Sequence, residues 1–282
     1  METKITSAGK EVIIGEGRPT VLIGERINPS GRKKLSEAIK AGELEIIGSE
    51  AKAQVEAGAD ILDVNVGAFG VDEVDVLPRA VKIAMKAVDA PLCIDSSSPD
   101  ALVAALKVYK GKPLVNSVNG EEKSLAKILP VIKEYGAAVV GLTQDDEGIP
   151  AGADRRVAIA HKIVERAGKI GIPPEDIVID CLAFAVGADT ESGRVTLETI
   201  SRVKAELGVN MTLGASNISF GLPDRDLINY AFMSVVIAAG ATSLIVNVAK
   251  VRPIVLAADL VLAQDKRARR YIDAYRKRQQ TQ

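Results

Sequence analysis

Short runs of apolar, largely β-branched residues recur along this chain, and most give way at once to a polar residue, often Asp or Asn. The runs are Val21–Gly24, Ile61–Val64, Leu92–Ile94, Pro113–Val115, Ala138–Gly141, Ile177–Ile179, Met211–Leu213 and Leu244–Val248, which predict eight strands. Between them apolar residues repeat at helical spacing. Leu77, Val81, Ala84, Met85 and Val88 share one face, as do Leu102, Ala105, Leu106 and Tyr109. Leu125, Ile128, Leu129 and Ile132 repeat the pattern, then Val157, Ala160 and Val164, then Leu197, Ile200 and Leu207. Ser98 before Pro99 reads as an N-cap with proline in the first helical position. Gly58, Gly136, Gly171, Gly208 and Gly240 stand where helices should stop.

Eight β units alternating with helices predict an α/β chain folded as one closed parallel (β/α)8 barrel, a TIM barrel, spanning residues 1–282. An open doubly wound sheet is the second choice. Its glycine-rich first turn is missing, since Gly15-Glu16-Gly17 lies ahead of a strand and not after one. Glu11–Gly15 and Thr20–Ile23 flank Gly17-Arg18-Pro19, which predicts an N-terminal hairpin or lid at about residues 10–20. At the other end a basic helical region is expected from about residue 253 to 282. Its last part, Asp265–Gln282, mixes Lys and Arg with Asp265, Ile272, Asp273 and Tyr275, the pattern of a solvated helix or of a docking face for an acidic partner.

Composition narrows the setting. A chain of 282 residues, 47% hydrophobic, can bury a large core, and its formal charge of -1 gives no general case for nucleic-acid binding. Two cysteines, Cys93 and Cys181, lie inside strand-like runs and are expected to be buried thiols. With a polar, charged N-terminus, this indicates a cytoplasmic protein. The uncharged stretch 229–249 is long enough to span a bilayer, but Gly240-Ala241-Thr242 interrupts it. A helix followed by a strand is expected there, and no membrane span.

Loops at the C-terminal face of such a barrel converge on one site. That face would gather Glu25, Asn28, Asp63, Asn65, Asp95, Asn116, Asp145, Asp180, Asn217 and Asn247. An Asp or Asn after a strand is commonly a turn former or a helix cap, but so many strand ends of one character point to a shared pocket. The single histidine, His161, falls in a helix-period segment away from any strand end, so histidine-based catalysis is not expected. No Cys/His cluster suggests zinc, and no Gly-rich loop with Lys marks a phosphate site. Carboxylates interleaved with amides suit a flat polar heterocycle: a carboxylate accepts two parallel N–H bonds, and amides both donate and accept.

The segments Glu25-Arg26-Ile27-Asn28-Pro29, Asp63-Val64-Asn65-Val66-Gly67, Cys93-Ile94-Asp95-Ser96, Val115-Asn116-Ser117, Gly141-Leu142-Thr143, Val178-Ile179-Asp180 and Gly214-Ala215-Ser216-Asn217-Ile218-Ser219 resemble the pterin-binding barrel of methyltetrahydrofolate:corrinoid-protein methyltransferases. The likeness runs in order from about Val21 to Arg225 and extends to the folate module of cobalamin-dependent methionine synthase. It implies a homodimer that moves a methyl group between N5 of tetrahydrofolate and the cobalt of a corrinoid carried by a separate corrinoid protein. It also implies roles. Asp180 takes the amino-pyrimidine edge of the pterin, Asp95 and Asn116 the rest of the ring, Asn217 hydrogen bonds N5, and Asp63 supports N5 through water. Arg225, Ser216, Glu25 and Asn65 complete the substrate site, and no metal is bound by the chain itself. Phe220 stands where the branch serving the corrinoid iron-sulfur protein tends to carry glutamine, so an O-demethylation or methylamine system, with methyl flowing to tetrahydrofolate, fits as well as acetyl-CoA synthesis. Two other readings use the same pocket: a dihydropteroate synthase, and a non-enzymatic folate- or corrinoid-binding protein.

Overall fold

The computed structural model describes residues 1–281; Gln282, the last residue of the expected terminal helix, lies outside the described residues. The strands are β1 (Glu2–Thr6), β2 (Glu11–Gly15), β3 (Val21–Ile27), β4 (Ile61–Asn65), β5 (Leu92–Asp95), β6 (Leu114–Asn119), β7 (Ala138–Leu142), β8 (Ile177–Asp180), β9 (Asn210–Thr212) and β10 (Ser243–Val246). Those from β3 onward form one parallel sheet in the order β10-β3-β4-β5-β6-β7-β8-β9. The sheet closes on itself where the Ile245 N–H donates to the Leu213 carbonyl at 3.0 Å and the Thr242 N–H to Met211 at 3.2 Å. This is the expected (β/α)8 barrel, and each predicted run overlaps one of its strands, the last overrunning β10 to the first residue of α9. Strand ends differ most at β3 and β6, which run on to Ile27 and Asn119.

The helices are α1 (Lys33–Ala41), α2 (Glu45–Ala57), α3 (Glu73–Ala87), α4 (Pro99–Val108), α5 (Glu122–Tyr135), α6 (Ala153–Lys169), α7 (Ser192–Glu206), α8 (Arg225–Ala239), α9 (Val248–Val261) and α10 (Arg269–Thr281). Ser98 caps α4 by accepting from the Ala101 N–H at 3.3 Å, with Pro99 at the start of the helix. Gly58 and Gly136 end α2 and α5 in the left-handed conformation, which glycine adopts without a Cβ clash. The uncharged stretch 229–249 is the greater part of α8 followed by β10, and no helix among the described residues is long and apolar enough to cross a membrane. The basic C-terminal region is two helices, α9 and α10. They are broken apart where Ala263, Arg267 and Ala268 take positive φ.

Two cores result. The larger lies between the outer strand faces and the helices; the smaller fills the lumen with Val21, Ile23, Ile61, Cys93, Leu114, Ala138, Val140 and Val178. Ile5, Val12 and Ile14 join the lumen core from below. They belong to the N-terminal hairpin, which pairs β1 with β2 around residues 7–10; residues 17–19 instead lead into the barrel. The hairpin sits under the barrel's floor and does not cover its mouth. Asn210, at the bottom of β9, donates to the Thr3 hydroxyl at 2.9 Å and the Ile14 carbonyl at 3.0 Å, and the Thr6 N–H donates to Lys112 at 2.8 Å.

Candidate active site at the barrel mouth

Strand periodicity selects what faces the lumen, because residues two apart on a strand point the same way. Ile61 packs in the lumen core, and Asp63 and Asn65 follow at the same parity. In the same way Cys93 leads to Asp95, Leu114 to Asn116, Val178 to Asp180, and Val21 and Ile23 to Glu25. Apolar side chains therefore close the lower lumen, and polar ones crown it.

One group of these residues is in mutual contact. Asp63 is 2% exposed and accepts from Asn116 Nδ2 at 3.3 Å. The Cys93 thiol below also bonds to it, and both cysteines are buried and free of disulfides. Burial, then the charge of Asp95, pushes the Asp63 carboxyl well above the usual carboxylate range. Burial raises Asp95 as well, against its bonds to Asn65 and Asp63. Two carboxyls so close hold a proton between them near neutrality more readily than they both ionise. Glu25 stands close to Asp63; burial raises its carboxyl, and Arg26, Arg225 and the Asn247 N–H oppose that rise.

Asp180 occupies another part of the wall, in register with Leu142 and Thr212. It is 6% exposed, and burial pushes its carboxyl up to about 7 despite the Leu182 N–H and the more distant Arg156 guanidinium. That N–H reaches Asp180 at 2.7 Å, and Leu182 itself takes a left-handed φ of 55°, a conformation a leucine rarely adopts without compensation. Arg156 holds the loop in place: 2% exposed, it donates to the Leu182 carbonyl at 2.7 Å and to Pro150 at 2.9 Å.

A third group follows β9. Ala215–Ser219 forms a 3-10 turn that carries Ser216 and Asn217. Among the described residues the exposed Asn217 amide has no hydrogen-bond partner, and it folds back so that a Cβ on Gly214 would lie 3.0 Å from its nitrogen. Arg225 braces the turn, donating to the Ser216 carbonyl at 2.8 Å and the Ser219 hydroxyl at 3.0 Å, with Phe220 5.7 Å away. Asn28 and Asp145 stay out of the polar crown. Asn28 accepts from Ser30 at 2.9 Å in a local turn, and Asp145 pairs with Arg155 at 2.9 Å. His161 lies on the surface against Glu206 at 2.9 Å. Among the described residues no group of His, Cys, Asp or Glu is arranged to hold a metal ion.

Thr212 and Gln54 are absent from the list of strand-end acids and amides. The Thr212 hydroxyl is buried beside Asp180 with no partner among the described residues. Its position was readable from lumen parity, but threonine is also an ordinary strand residue. Gln54, on α2, accepts from the Arg26 N–H at 2.8 Å and so fixes the end of β3. Its approach needs Gly24, where a Cβ would come within 2.4 Å of the amide oxygen. No sequence pattern marked Gln54.

Residues 24–247 match the model of the pterin binding enzyme family. The chain is 33% identical over 266 residues to the methylcorrinoid:tetrahydrofolate methyltransferase of Eubacterium limosum, covering 91% of this chain and 96% of that protein. It is 34% identical over 266 residues to the methionine synthase of Mycobacterium tuberculosis, covering 89% of this chain but only 22% of that longer protein. Among solved structures it is similar to the dihydropteroate synthase of Vibrio fischeri, with a TM-score of 0.69, 18% identity, and 93% and 99% of the two chains covered. The Xanthomonas albilineans enzyme gives 0.70 and 20%, with 93% and 99% covered. At such identities these two show a common barrel and nothing finer.

Proposed function

Because the chain belongs to the pterin binding enzyme family, we propose that it is a methyltransferase acting between N5 of tetrahydrofolate and the cobalt of a corrinoid held by a separate protein. The observation that carries this is a likeness covering 96% of a methylcorrinoid:tetrahydrofolate methyltransferase. The direction in that relative's name supports flow of methyl from the corrinoid protein to tetrahydrofolate, as an O-demethylation system requires. We place the reaction in the cytoplasm and the active species as a homodimer.

The crown of the barrel fits a pterin. It offers carboxylates and amides at lumen parity, and the partnerless Thr212 hydroxyl leaves a buried group for a ligand to satisfy. Asp180 accepts N–H bonds from the amino-pyrimidine edge, while Asp95 and Asn116 bind the remaining ring heteroatoms. Glu25, Asn65, Ser216 and Arg225 line the rest of the substrate site. The corrinoid supplies a strongly nucleophilic cobalt(I) or, in reverse, a methyl donor. When methyl leaves folate, the bonding pair of N5–CH3 stays on N5, which must gain a proton; when methyl arrives, N5 gives one up. Asn217 hydrogen bonds N5 and stabilises it most when its charge is changing. Asp63, in its proton-sharing pair with Asp95, supports N5 through water.

Stopped-flow mixing of the protein and 5-methyltetrahydrofolate with free cob(I)alamin tests the reading. Methylcobalamin should form, and methylcobalamin with tetrahydrofolate should react in reverse. Tight folate binding without transfer would make the chain a binding protein. Turnover of a pterin pyrophosphate with p-aminobenzoate would instead make it a dihydropteroate synthase, a reaction that calls for cations where this chain has Ser216-Asn217-Ile218.

A further inference from the structure

Beside the barrel mouth a cavity of about 240 Å³ opens between the ends of β3 and β10, the turn after β9, and the first turns of α8 and α9. Three cations line it, Arg26, Arg225 and Lys250, against the carboxylates Glu25 and Asp226. Lys250 already bridges both oxygens of Asp226 at 3.1 Å, and Arg225 braces the β9 turn. Among the described residues the Arg26 guanidinium makes no hydrogen bond. Both helices start here without a side-chain cap, since neither Asp224 nor Asn247 makes a cap bond. First-turn N–H groups and the positive ends of two helix dipoles therefore face this corner. It also lies after the seventh and eighth barrel strands, β9 and β10, where barrels of this kind frequently bind an anion.

A second observation narrows the ligand. Asn229 lines the cavity, is 6% exposed, and among the described residues its Oδ1 has no partner. A buried acceptor without a donor is unfavourable, so the occupant should bring an N–H as well as negative charge. A phosphate monoester dianion brings no donor. A secondary amide flanked by carboxylates brings both, and that is the chemistry of a terminal glutamate in amide linkage. Glu25 joins this cavity to the pterin site, because it lines the one and stands close to Asp63 in the other.

We propose that this cavity is the subsite for the glutamyl end of folate, with Asn229 accepting the amide N–H and Arg26, Lys250 and the two helix starts holding the carboxylates. The inference rests on folate being the substrate. Calorimetric titration of the protein and of Lys250→Ala and Asn229→Ala with tetrahydrofolate and with tail-less 6-methyltetrahydropterin tests it. Each variant should lose about tenfold in affinity for tetrahydrofolate, the value of one charge-assisted or buried hydrogen bond, and nothing for the tail-less pterin. Equal losses for both compounds, no loss for either, or equal affinity of the unmodified protein for the two would overturn the subsite while leaving the pterin site standing. Failure of the unmodified protein to bind either compound would remove the folate reading, and this inference with it. Competition by inorganic phosphate that is unaffected by Asn229→Ala would reduce the cavity to a general oxyanion site and overturn the amide assignment.

Discussion

Near neutrality Asp180 is divided between acid and carboxylate, because burial has pushed it up to about 7. A pterin edge offers N–H donors, which only the carboxylate can accept in parallel. Tetrahydrofolate affinity should therefore fall as pH drops below 7, approaching about tenfold per pH unit, and level off above it. Asp180→Asn should flatten that profile; an unchanged profile in this variant would take the edge-reading role from Asp180. The same carboxyl bears on stability. Its folded form keeps a proton between the ordinary value of 3.8 and about 7, where the unfolded chain has lost it. The penalty is absent below that window, grows across it and is complete above, at about 4 kcal/mol. The apoprotein should thus be less stable at pH 8 than its Asp180→Asn variant, as urea denaturation will show. Asn217→Ala, by contrast, should leave folate affinity within a few-fold and slow single-turnover transfer by about 10²-fold, as loss of a transition-state contact does. Equal losses in both would mean that Asn217 only holds substrate. Asp95, Asn116 and Asp180 were legible because each ends an apolar run at lumen parity, and Asp63 because it interrupts one at that parity. Arg156 was not, because an arginine within a helix gives no sign that it reaches a loop carbonyl on the next strand.

The barrel strands could be read because each is short, apolar and stopped by a polar residue, a pattern that burial imposes from within the strand itself. The N-terminal hairpin shows where that logic ends. Gly17-Arg18-Pro19 has the stronger turn chemistry, yet β1 pairs with β2 around residues 7–10, because contacts distant in sequence decide the matter. Thr3 is held by Asn210 and by the Glu175 carbonyl, and Ile5 and Ile14 are fully buried against the lumen core. A chain reader sees none of these partners. If the hairpin is the floor of the barrel, Ile14→Ala should cost about 2–5 kcal/mol through the cavity it leaves. Folate affinity should not change, since the site is at the opposite end of the strands. An unaltered denaturation midpoint would mean that the lumen closes without the hairpin.

At the scale of the whole molecule, α8 is the helix that does not suit a lone barrel. An outer helix should be polar on its solvent side, but Leu227 is 65% and Val235 47% exposed, and Ala231 and Ala238 lie exposed on the same face. From Leu227 to Ala239 the helix carries no charge. On the adjoining α9, Val261 is 84% exposed. At about 1.5 Å per residue, α8 offers a face about 22 Å long, with α9 beside it. A neutral face of small and medium apolar side chains has nothing to attract a charged partner, but it is complementary to itself across a twofold axis. It therefore supports the proposed homodimer, built through α8. Val235→Glu would place two carboxylates in that seam and should give a monomer by sedimentation at micromolar concentration, with tetrahydrofolate affinity retained. A dimer that survives the substitution would place the interface elsewhere and leave the exposed face of α8 without an occupant.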